Sequence, residues 1–206
     1  MELDEKILAV QIRKLEQESF HEYRDELIEV YEEVYDGQLN DPFFSSETYW
    51  SRLTAYATRN GFRAVAGKVD ETLVGYALGY TLPAESRWWQ GLRSAVDAKA
   101  LVETGTRTFA LNEIMVRKRW RRRGIARQLH DALIEEASEE RATLLVLPDN
   151  VAAKAAYRSW GWQMIGELQP FDDAPVYDSM ILDLTESQQD GDAGGGQGMR
   201  RAGQRG

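Results

Sequence analysis

An α/β fold, one mixed sheet with helices interleaved along the chain, is what this sequence predicts, and three observations carry the prediction. Short β-type runs alternate with segments of helical periodicity. Two of the β-type runs are separated only by Asp70-Glu71, as in a hairpin. Two of the helices follow a strand, one at Gly124 after a basic link and one at Asn150, as in layered folds of strand and helix.

The elements follow in order. Residues 7–12 read as a short strand. Over 22–35, Tyr23, Leu27, Val30, Tyr31 and Val34 recur at helical spacing. Ser45 or Ser46, followed by Glu47-Thr48, opens a second helix that runs to residue 59, and Asn60-Gly61 closes it. Residues 62–69 and 72–81 are the hairpin strands. The link over 82–107 is long for a compact domain and of a kind that is often functional; Trp88, Trp89, Leu92, Ala95 and Val96 suit one or two helical turns. A strand over 108–116 precedes a helix over 124–139, with Ile125, Leu129, Leu133 and Ala137 on one face. After a buried strand over 143–147, Asn150 caps a helix that reaches residue 160 and places Ala153, Ala156, Tyr157 and Trp160 on one stripe. Gly161 ends it, and strands over 163–168 and 176–184 complete the fold. Residues 185–206 hold seven glycines and one large apolar residue, Met199, so a disordered tail is expected behind a single domain over 1–184.

Composition excludes several classes of function. With 43% apolar residues the chain has material for a buried core, and no apolar run approaches the length of a membrane span. The acidic start, Met-Glu-Leu-Asp-Glu-Lys, is no secretory signal, and a soluble cytoplasmic protein is expected. Zero cysteines exclude disulfides, cysteine-based zinc sites and thiol nucleophiles together. The two histidines, His21 and His130, are too few for a His-rich metal cluster, so no metal site is expected; His130 reads as a helix-surface residue. The net charge of −9 is polarised. Residues 1–47 hold fourteen acids against four bases, whereas 117–127 hold Arg117, Lys118, Arg119, Arg121, Arg122, Arg123 and Arg127 with no acid. Two partners of opposite sign are one reading, and solvated helix faces for the acids are the other.

Two motifs carry chemistry. The first is a strand, a basic link, then Arg121-Arg122-Arg123-Gly124-Ile125-Ala126 opening a helix. Unpaired N–H groups at a helix N-terminus suit an anion, small residues at 124 and 126 let a phosphate approach the main chain, and arginines add bidentate contacts. A tight turn beside a solvated cationic stretch, or a nucleic-acid patch, explains the same residues. The second is Asn150, Ala153, Tyr157 and Gly161-Trp162 after a buried strand. A hydroxyl held there is a proton donor, unless Tyr157 is only a packed core aromatic and Asn150 only a cap.

In this order and spacing the two motifs resemble the GNAT superfamily of N-acetyltransferases, specifically over 111–162 and in layout over 7–184. The family's acyl-CoA loop (Gln or Arg, two residues, Gly, one residue, Gly or Ala) matches Arg121, Gly124 and Ala126. Its later Asn, Tyr and Gly-aromatic pattern matches Asn150, Tyr157 and Gly161-Trp162. The resemblance implies a mixed, mostly antiparallel central sheet, flanked by helices and splayed between its fourth and fifth strands. It implies acetyl-CoA as co-substrate and no metal. Pantetheine would pair with the backbone of Ile114, Met115 and Val116. The pyrophosphate would sit on the loop formed by Arg121, Arg122, Arg123, Gly124, Ile125 and Ala126, and Asn150 would belong to the same cofactor side. Transfer would be direct, with Tyr157 protonating the leaving thiolate and a backbone N–H near Met115 meeting the oxyanion; the missing cysteine agrees, because no thiol-acetyl intermediate can form. An acid often lies near 112–113 in this family, and Glu113 is the candidate base, its other reading being an orienting role. Because strand residues alternate faces, Asn112 and Glu113 are not expected to point into the site together.

The resemblance does not name the acceptor. Glu29, Glu32, Glu33, Asp36 and Asp41 lie among Tyr31, Tyr35, Phe43, Phe44, Tyr49 and Trp50, and Trp88 and Trp89 add cation-binding faces. The expected partner is a small-molecule amine, cationic in character, with no nucleic acid and no membrane; homodimerisation is compatible with this reading. A peptide or protein amine, a nucleic-acid-binding module and a non-catalytic acyl-CoA sensor are the competing readings.

Overall fold

The computed structural model describes residues 9–135, 137–172 and 174–185. The expected tail, from 186 onward, and residues 7–8 of the expected first strand lie outside them. The chain runs through β1 (Gln11–Lys14), α1 (Arg24–Val34), α2 (Ser46–Ala57), β2 (Arg63–Val69), β3 (Thr72–Thr81), β4 (Thr108–Val116), α3 (Ile125–Ile134), β5 (Arg141–Val146), α4 (Val151–Ser159), β6 (Gln163–Leu168) and β7 (Tyr177–Asp183), with short 3-10 turns between. The helix ends carry the expected chemistry. The Ser45 side chain accepts from the Thr48 N–H, Asn150 accepts from the Ala153 N–H at 3.2 Å, and Gly161 closes α4 with φ +94°.

Among the described residues seven strands form one sheet in the order β1-β2-β3-β4-β5-β7-β6, antiparallel except for the β4–β5 pair. The helices cover it on both faces. On one side α3 and α4 pack Ile125, Leu129, Leu133 and Tyr157 against Val74, Phe109, Leu111 and Leu144. On the other, α1 and α2 pack Leu27, Tyr31, Tyr49 and Leu53 against Tyr76, Leu78 and Met115.

The β4–β5 pairing is short: Thr108↔Arg141, Phe109↔Ala142 and Ala110↔Thr143. Both strands continue beyond these pairs without meeting, which is the splay the resemblance implies. Its local cause lies in β4. Gly79 pairs with Leu111 and Leu78 pairs with Glu113, so Asn112 is an extra residue with no partner on β3. Such a bulge bends its strand and increases its twist. It also shifts the phase of the side chains. Strict alternation would place Glu113 on the face of Phe109 and Leu111; the extra residue places it across from Leu78, on the face of Met115, α1 and α2.

Three expectations need correction. The 82–107 link forms no α-helix among the described residues, only the 3-10 turn Ala98–Leu101. Its backbone bonds go to the end of β6 instead, Arg93 N–H to the Glu167 carbonyl at 2.8 Å and Gln169 N–H to the Gly91 carbonyl at 3.1 Å. Trp89 is buried and donates to Glu103 at 2.7 Å. The helix expected to reach 139 stops at Ile134, because Glu139 turns inward to take hydrogen bonds from Arg63 at 2.9 Å and Thr81 at 2.5 Å. Finally, β5 starts at Arg141 rather than 143. Arg141 is a buried cation paired with Glu103 at 2.9 Å, which a search for apolar runs passes over.

Candidate active site

Glu113 sits half-buried on β4, just past the bulge. Among the described residues no cation lies within 4.0 Å of its carboxylate. Burial pushes the carboxyl up to about 7, and the Arg52 guanidinium offsets this only in part. The surroundings are phenolic. Behind burial itself, the charge of Glu113 helps raise the pKa values of Tyr35, Tyr49, Tyr56 and Tyr76, and it reaches Tyr31 and Tyr177 as well. These rings are braced. Tyr31 and Tyr49 stack with centroids 3.7 Å apart, the Tyr49 and Tyr76 hydroxyls are 2.6 Å apart, and the Tyr76 hydroxyl donates to the Met115 sulfur at 3.4 Å.

Tyr157 enters the same field from α4. It is 8% exposed, packed edge-on against Trp160 at 5.6 Å and tilted against Trp162 at 6.0 Å. Burial, then the charge of Glu113, holds its hydroxyl well above the ordinary phenol value. A phenol in that state is protonated at neutral pH and free to donate, since its hydroxyl bonds to no described side chain or backbone group. The expectation that Asn112 and Glu113 cannot share a face fails. The Asn112 side chain acts on the Tyr80 hydroxyl, offsetting part of the rise that burial gives its pKa; Tyr80 packs on the α1–α2 side, and a bulge allows two successive side chains to share that side.

The basic run divides into two groups. Arg117 is buried, donates to the Leu73 carbonyl at 2.7 Å and pairs with Glu33 at 2.8 Å and Glu29 at 3.2 Å. The Lys118 backbone N–H donates to Glu33 at 2.8 Å, its ammonium faces Asp36 at 3.7 Å, and Arg127 pairs with Asp131 at 2.6 Å. Burial alone would raise the Glu33 carboxyl, but its bonds from Arg117 and Lys118 outweigh that and hold it below the ordinary carboxylate value. Glu32 accepts from Ser46 at 2.6 Å and Asp41 accepts from the Phe43 N–H at 2.9 Å. The five acids that the sequence offers to an acceptor thus have partners within the chain.

Arg119, Arg121, Arg122 and Arg123 are exposed, and among the described residues none has a carboxylate within 4.0 Å. They surround the start of α3. Arg122 has φ +59° and Gly124 has φ +76°, a strained, left-handed turn that delivers the chain into the helix. A Cβ built on Gly124 would meet nothing within 4 Å, so the turn opens to solvent. The first hydrogen bond of α3 runs from the Gln128 N–H to the Gly124 carbonyl at 3.1 Å, which leaves the N–H groups of Ile125, Ala126 and Arg127 ahead of the helical ladder. This turn follows directly from the stretch of β4, Ile114, Met115 and Val116, whose backbone pairs with β3 but not with β5. Open strand edge, helix N-terminus and arginines without a carboxylate partner, of which Arg121 donates to the Val116 carbonyl at 3.1 Å, make one continuous surface that suits an extended ligand ending in phosphates. Asn150, expected beside it, caps α4 through its side chain.

Two residues stand elsewhere than expected. His130 is buried, not on the surface: its Nε2 accepts from the Trp162 Nε1–H at 2.9 Å and its Nδ1 faces Asp131 at 2.8 Å. Burial lowers its pKa despite Asp131, and it is a neutral core histidine. Trp89 faces the chain's own Arg141 at 5.3 Å. Sequence reasoning missed Arg52, Tyr56 and Tyr177. Arg52 and Tyr56 are four residues apart on α2, a spacing that puts them on one side of a helix, but Tyr177 comes from β7 and carries no local signal.

Comparison with known proteins agrees with this geometry. A model of the acetyltransferase (GNAT) family matches residues 16–162. No curated protein matches the chain in sequence. Among solved structures, PH1933 from Pyrococcus horikoshii OT3 superposes with a TM-score of 0.63 at 18% identity, over 86% of this chain and 99% of that one. Ard1 from Thermoplasma volcanium gives 0.57 at 17%, over 85% and 97%. A PaiA N-acetyltransferase from Thermoplasma acidophilum, solved with coenzyme A, gives 0.52 at 13%, over 85% and 99%. These likenesses concern the fold. The family match is in sequence, and it spans the bulged strand, the arginine turn and α4 alike: the chain belongs to the acetyltransferase (GNAT) family.

Proposed function

We propose that the chain transfers acetyl from acetyl-CoA directly to a primary amine of a small molecule, with Glu113 as general base and Tyr157 as general acid. The observation that carries this reading is a pair of groups in complementary states. An unpaired carboxyl with its pKa near 7 and a protonated phenol share one field, beside the point where β4 and β5 part.

Acetyl-CoA, when bound, supplies the activated acyl carbon. The residues present fit it. The open edge along Ile114, Met115 and Val116 offers backbone donors and acceptors to the pantetheine arm. The turn from Arg121 through Arg122, Arg123 and Gly124 to Ile125 and Ala126 offers N–H groups and guanidinium groups to the phosphates. Asn150 contributes by holding the start of α4, the helix that carries Tyr157.

On the acceptor side, Glu113 draws in the ammonium form and takes its proton. The amine nitrogen then bonds to the acetyl carbon as the carbon–sulfur bond breaks. Tyr157 gives its proton to the departing sulfur, the second N–H proton restores the Tyr157 hydroxyl or leaves to solvent, and Glu113 releases the proton it took to solvent. A carboxylate with a pKa near the working pH is matched to that duty. The acids at 29–41 have partners inside the chain, so the attraction for a cationic amine rests on Glu113 rather than on a broad acidic wall.

The test is thiol release from acetyl-CoA over a panel of small primary amines and short peptides. Amine-dependent turnover that is highest for a small molecule supports the reading. Turnover with peptides alone moves the acceptor to a polypeptide, and acetyl-CoA binding without turnover points to a sensor.

A further inference from the structure

The chain pairs its inward-facing charges almost without exception. Among the described residues six arginines are buried or half-buried, Arg24 the least so with its side chain 43% exposed. Five have a carboxylate close by: Arg24 with Asp25 at 3.2 Å, Arg63 with Glu139 at 2.9 Å, Arg107 with Glu140 at 2.9 Å, Arg117 with Glu33 at 2.8 Å and Arg141 with Glu103 at 2.9 Å. Among the described residues Arg52 has none within 4.0 Å. The inward carboxylates behave alike. Glu26 pairs with Lys68 at 2.6 Å and Asp178 with Lys154 at 2.5 Å, while Glu33, Glu103 and Glu139 hold the arginines just named. Among the described residues Glu113 is the exception.

The two exceptions lie on one side of the sheet. Arg52 sits over the Tyr49 ring, which is braced through Tyr76 to Met115, on the face of β4 that Glu113 shares across from Leu78. Arg52 and Glu113 act on each other electrostatically, and both act on Tyr31, Tyr35, Tyr56 and Tyr177, which line the cleft between them. They stand too far apart to form an ion pair. Nor is either side chain loose. The Arg52 guanidinium donates to the Phe43 carbonyl at 3.1 Å and lies against the rings of Phe43 at 4.7 Å and Tyr49 at 5.4 Å. With the Tyr31 hydroxyl, which it also engages, that anchoring still leaves most of its five N–H donors uncommitted. Beside Glu113, the buried Asn112 Oδ1 has no hydrogen-bond donor. The cleft therefore presents two acceptors at one end and a braced, planar donor at the other.

We propose that the acceptor carries a carboxylate as well as its amine, so that the amine meets Glu113 and Asn112 while the carboxylate meets Arg52. This rests on the acetyl-transfer reading above and specifies its substrate class as a small amino acid. An ammonium needs acceptors in more than one direction, and Glu113 with Asn112 supplies them. A carboxylate takes two parallel N–H bonds from a guanidinium, which fixes the acceptor's orientation as well as its affinity. A polycation would find Arg52 repulsive, so the same residue selects against it.

The experiment compares amino acids, from glycine through 6-aminohexanoate and including the common α-amino acids, each with its own carboxamide. Thiol release is followed at saturating acetyl-CoA. At least one amino acid should exceed its carboxamide in kcat/KM by about 10- to 100-fold, the range for hydrogen bonds to a charged group. Arg52→Gln should bring that ratio close to one, and Arg52→Lys should keep part of it, since a cation remains but the fork is lost. Removing the cation should also move the acidic limb of the pH profile to higher pH through Glu113. Carboxamides or polyamines that equal or surpass the amino acids with the unaltered protein would overturn the proposal while leaving acetyl transfer intact. So would an Arg52→Gln ratio that stays unchanged with only the pH limb displaced, since Arg52 would then serve Glu113 alone. If no amine of either kind releases thiol, the acetyl-transfer reading falls and this inference with it.

Discussion

Glu113 makes opposite predictions for activity and stability, which separates a base from a structural acid. Its carboxyl is pushed from an ordinary 4.5 to about 7, chiefly by burial. As a base it works only when ionised, so kcat/KM should rise with pH through about 7 and fall close to tenfold for each pH unit below it. Folding responds in the reverse sense. A carboxyl whose folded pKa is raised contributes stability that is complete below about 4.5 and lost as pH climbs through about 7. At about 1.36 kcal/mol for each tenfold change in proton affinity, ionising Glu113 in place costs the fold about 3 kcal/mol. Glu113→Gln keeps the shape and removes the charge. Activity should fall by about 10²- to 10⁴-fold, and the limb near pH 7 should vanish. The variant should be more stable at pH 8, with a Tm rise of up to about 10 °C that shrinks towards zero by pH 5. Thiol-release profiles and thermal melts at both pH values supply the measurements. The acceptor amine adds its own limb at higher pH, which the variant should retain. A flat wild-type profile from pH 5.5 to 8, or a variant that loses stability equally at both pH values, would refute the assignment.

Three further outcomes are expected. Tyr157→Phe keeps the ring against Trp160 and Trp162 and removes a hydroxyl that bonds to no described group; kcat should fall by about 10²-fold or more with coenzyme A affinity and Tm kept, and a normal kcat at a chemistry-limited rate would make Tyr157 a core aromatic. Gly124→Asp puts a negative charge in open space at a left-handed position that aspartate tolerates better than most residues, so the fold should persist while coenzyme A affinity falls at least about tenfold; a change within about twofold would move the phosphate site elsewhere. Arg117→Ala leaves Glu33 and the Leu73 carbonyl without their cation and should cost about 3 kcal/mol in denaturant melts without altering acceptor KM. Because the Glu33 carboxyl sits below its ordinary value, the stability it contributes is present above about pH 4.5 and declines as pH falls further, which the melts can follow.

What the sequence discloses and what it hides divide along physical lines. Bounds of strands such as Thr72–Thr81, Thr108–Val116 and Gln163–Leu168 are legible because turn or charged residues flank runs rich in apolar side chains, two of which are buried along almost their whole length. Arg141 hides the start of β5, since a charge inside a strand reads as its boundary until its partner Glu103 is seen 38 residues away. The arginine turn and Tyr157 are local motifs, and both stand where their spacing puts them. The acidic run misleads for the opposite reason. Composition reports that fourteen acids lie in residues 1–47, but not that Glu29 and Glu33 turn to Arg117, more than eighty residues along the chain. Charge sums carry no geometry. The cleft suffers most, because Arg52, Glu113, Tyr157 and Tyr177 come from α2, β4, α4 and β7, and only the folded sheet assembles them.

One residue joins the two halves of the site, and nothing in the local pattern announces it. Asn112 is the extra residue between Leu111, which pairs with Gly79, and Glu113, which pairs with Leu78. Deleting it should leave both of those pairs in register and restore plain alternation, with Leu111 still towards α3 and Glu113 still towards α1 and α2. What should be lost is the bend. A straighter β4 can extend its three pairs with β5 towards Val116 and Val146, closing the edge on which the pantetheine arm is proposed to lie. The deletion should therefore weaken coenzyme A binding by more than about tenfold while amide exchange along Ile114, Met115 and Val116 slows, as expected when open backbone groups gain strand partners. Glu113→Gln, by comparison, should leave coenzyme A affinity nearly unchanged. If the Asn112 deletion folds and binds coenzyme A as the full chain does, the splay is set by the packing of α3 and α4 rather than by the bulge, and the bulge serves only to aim Asn112 and Glu113 into one cleft.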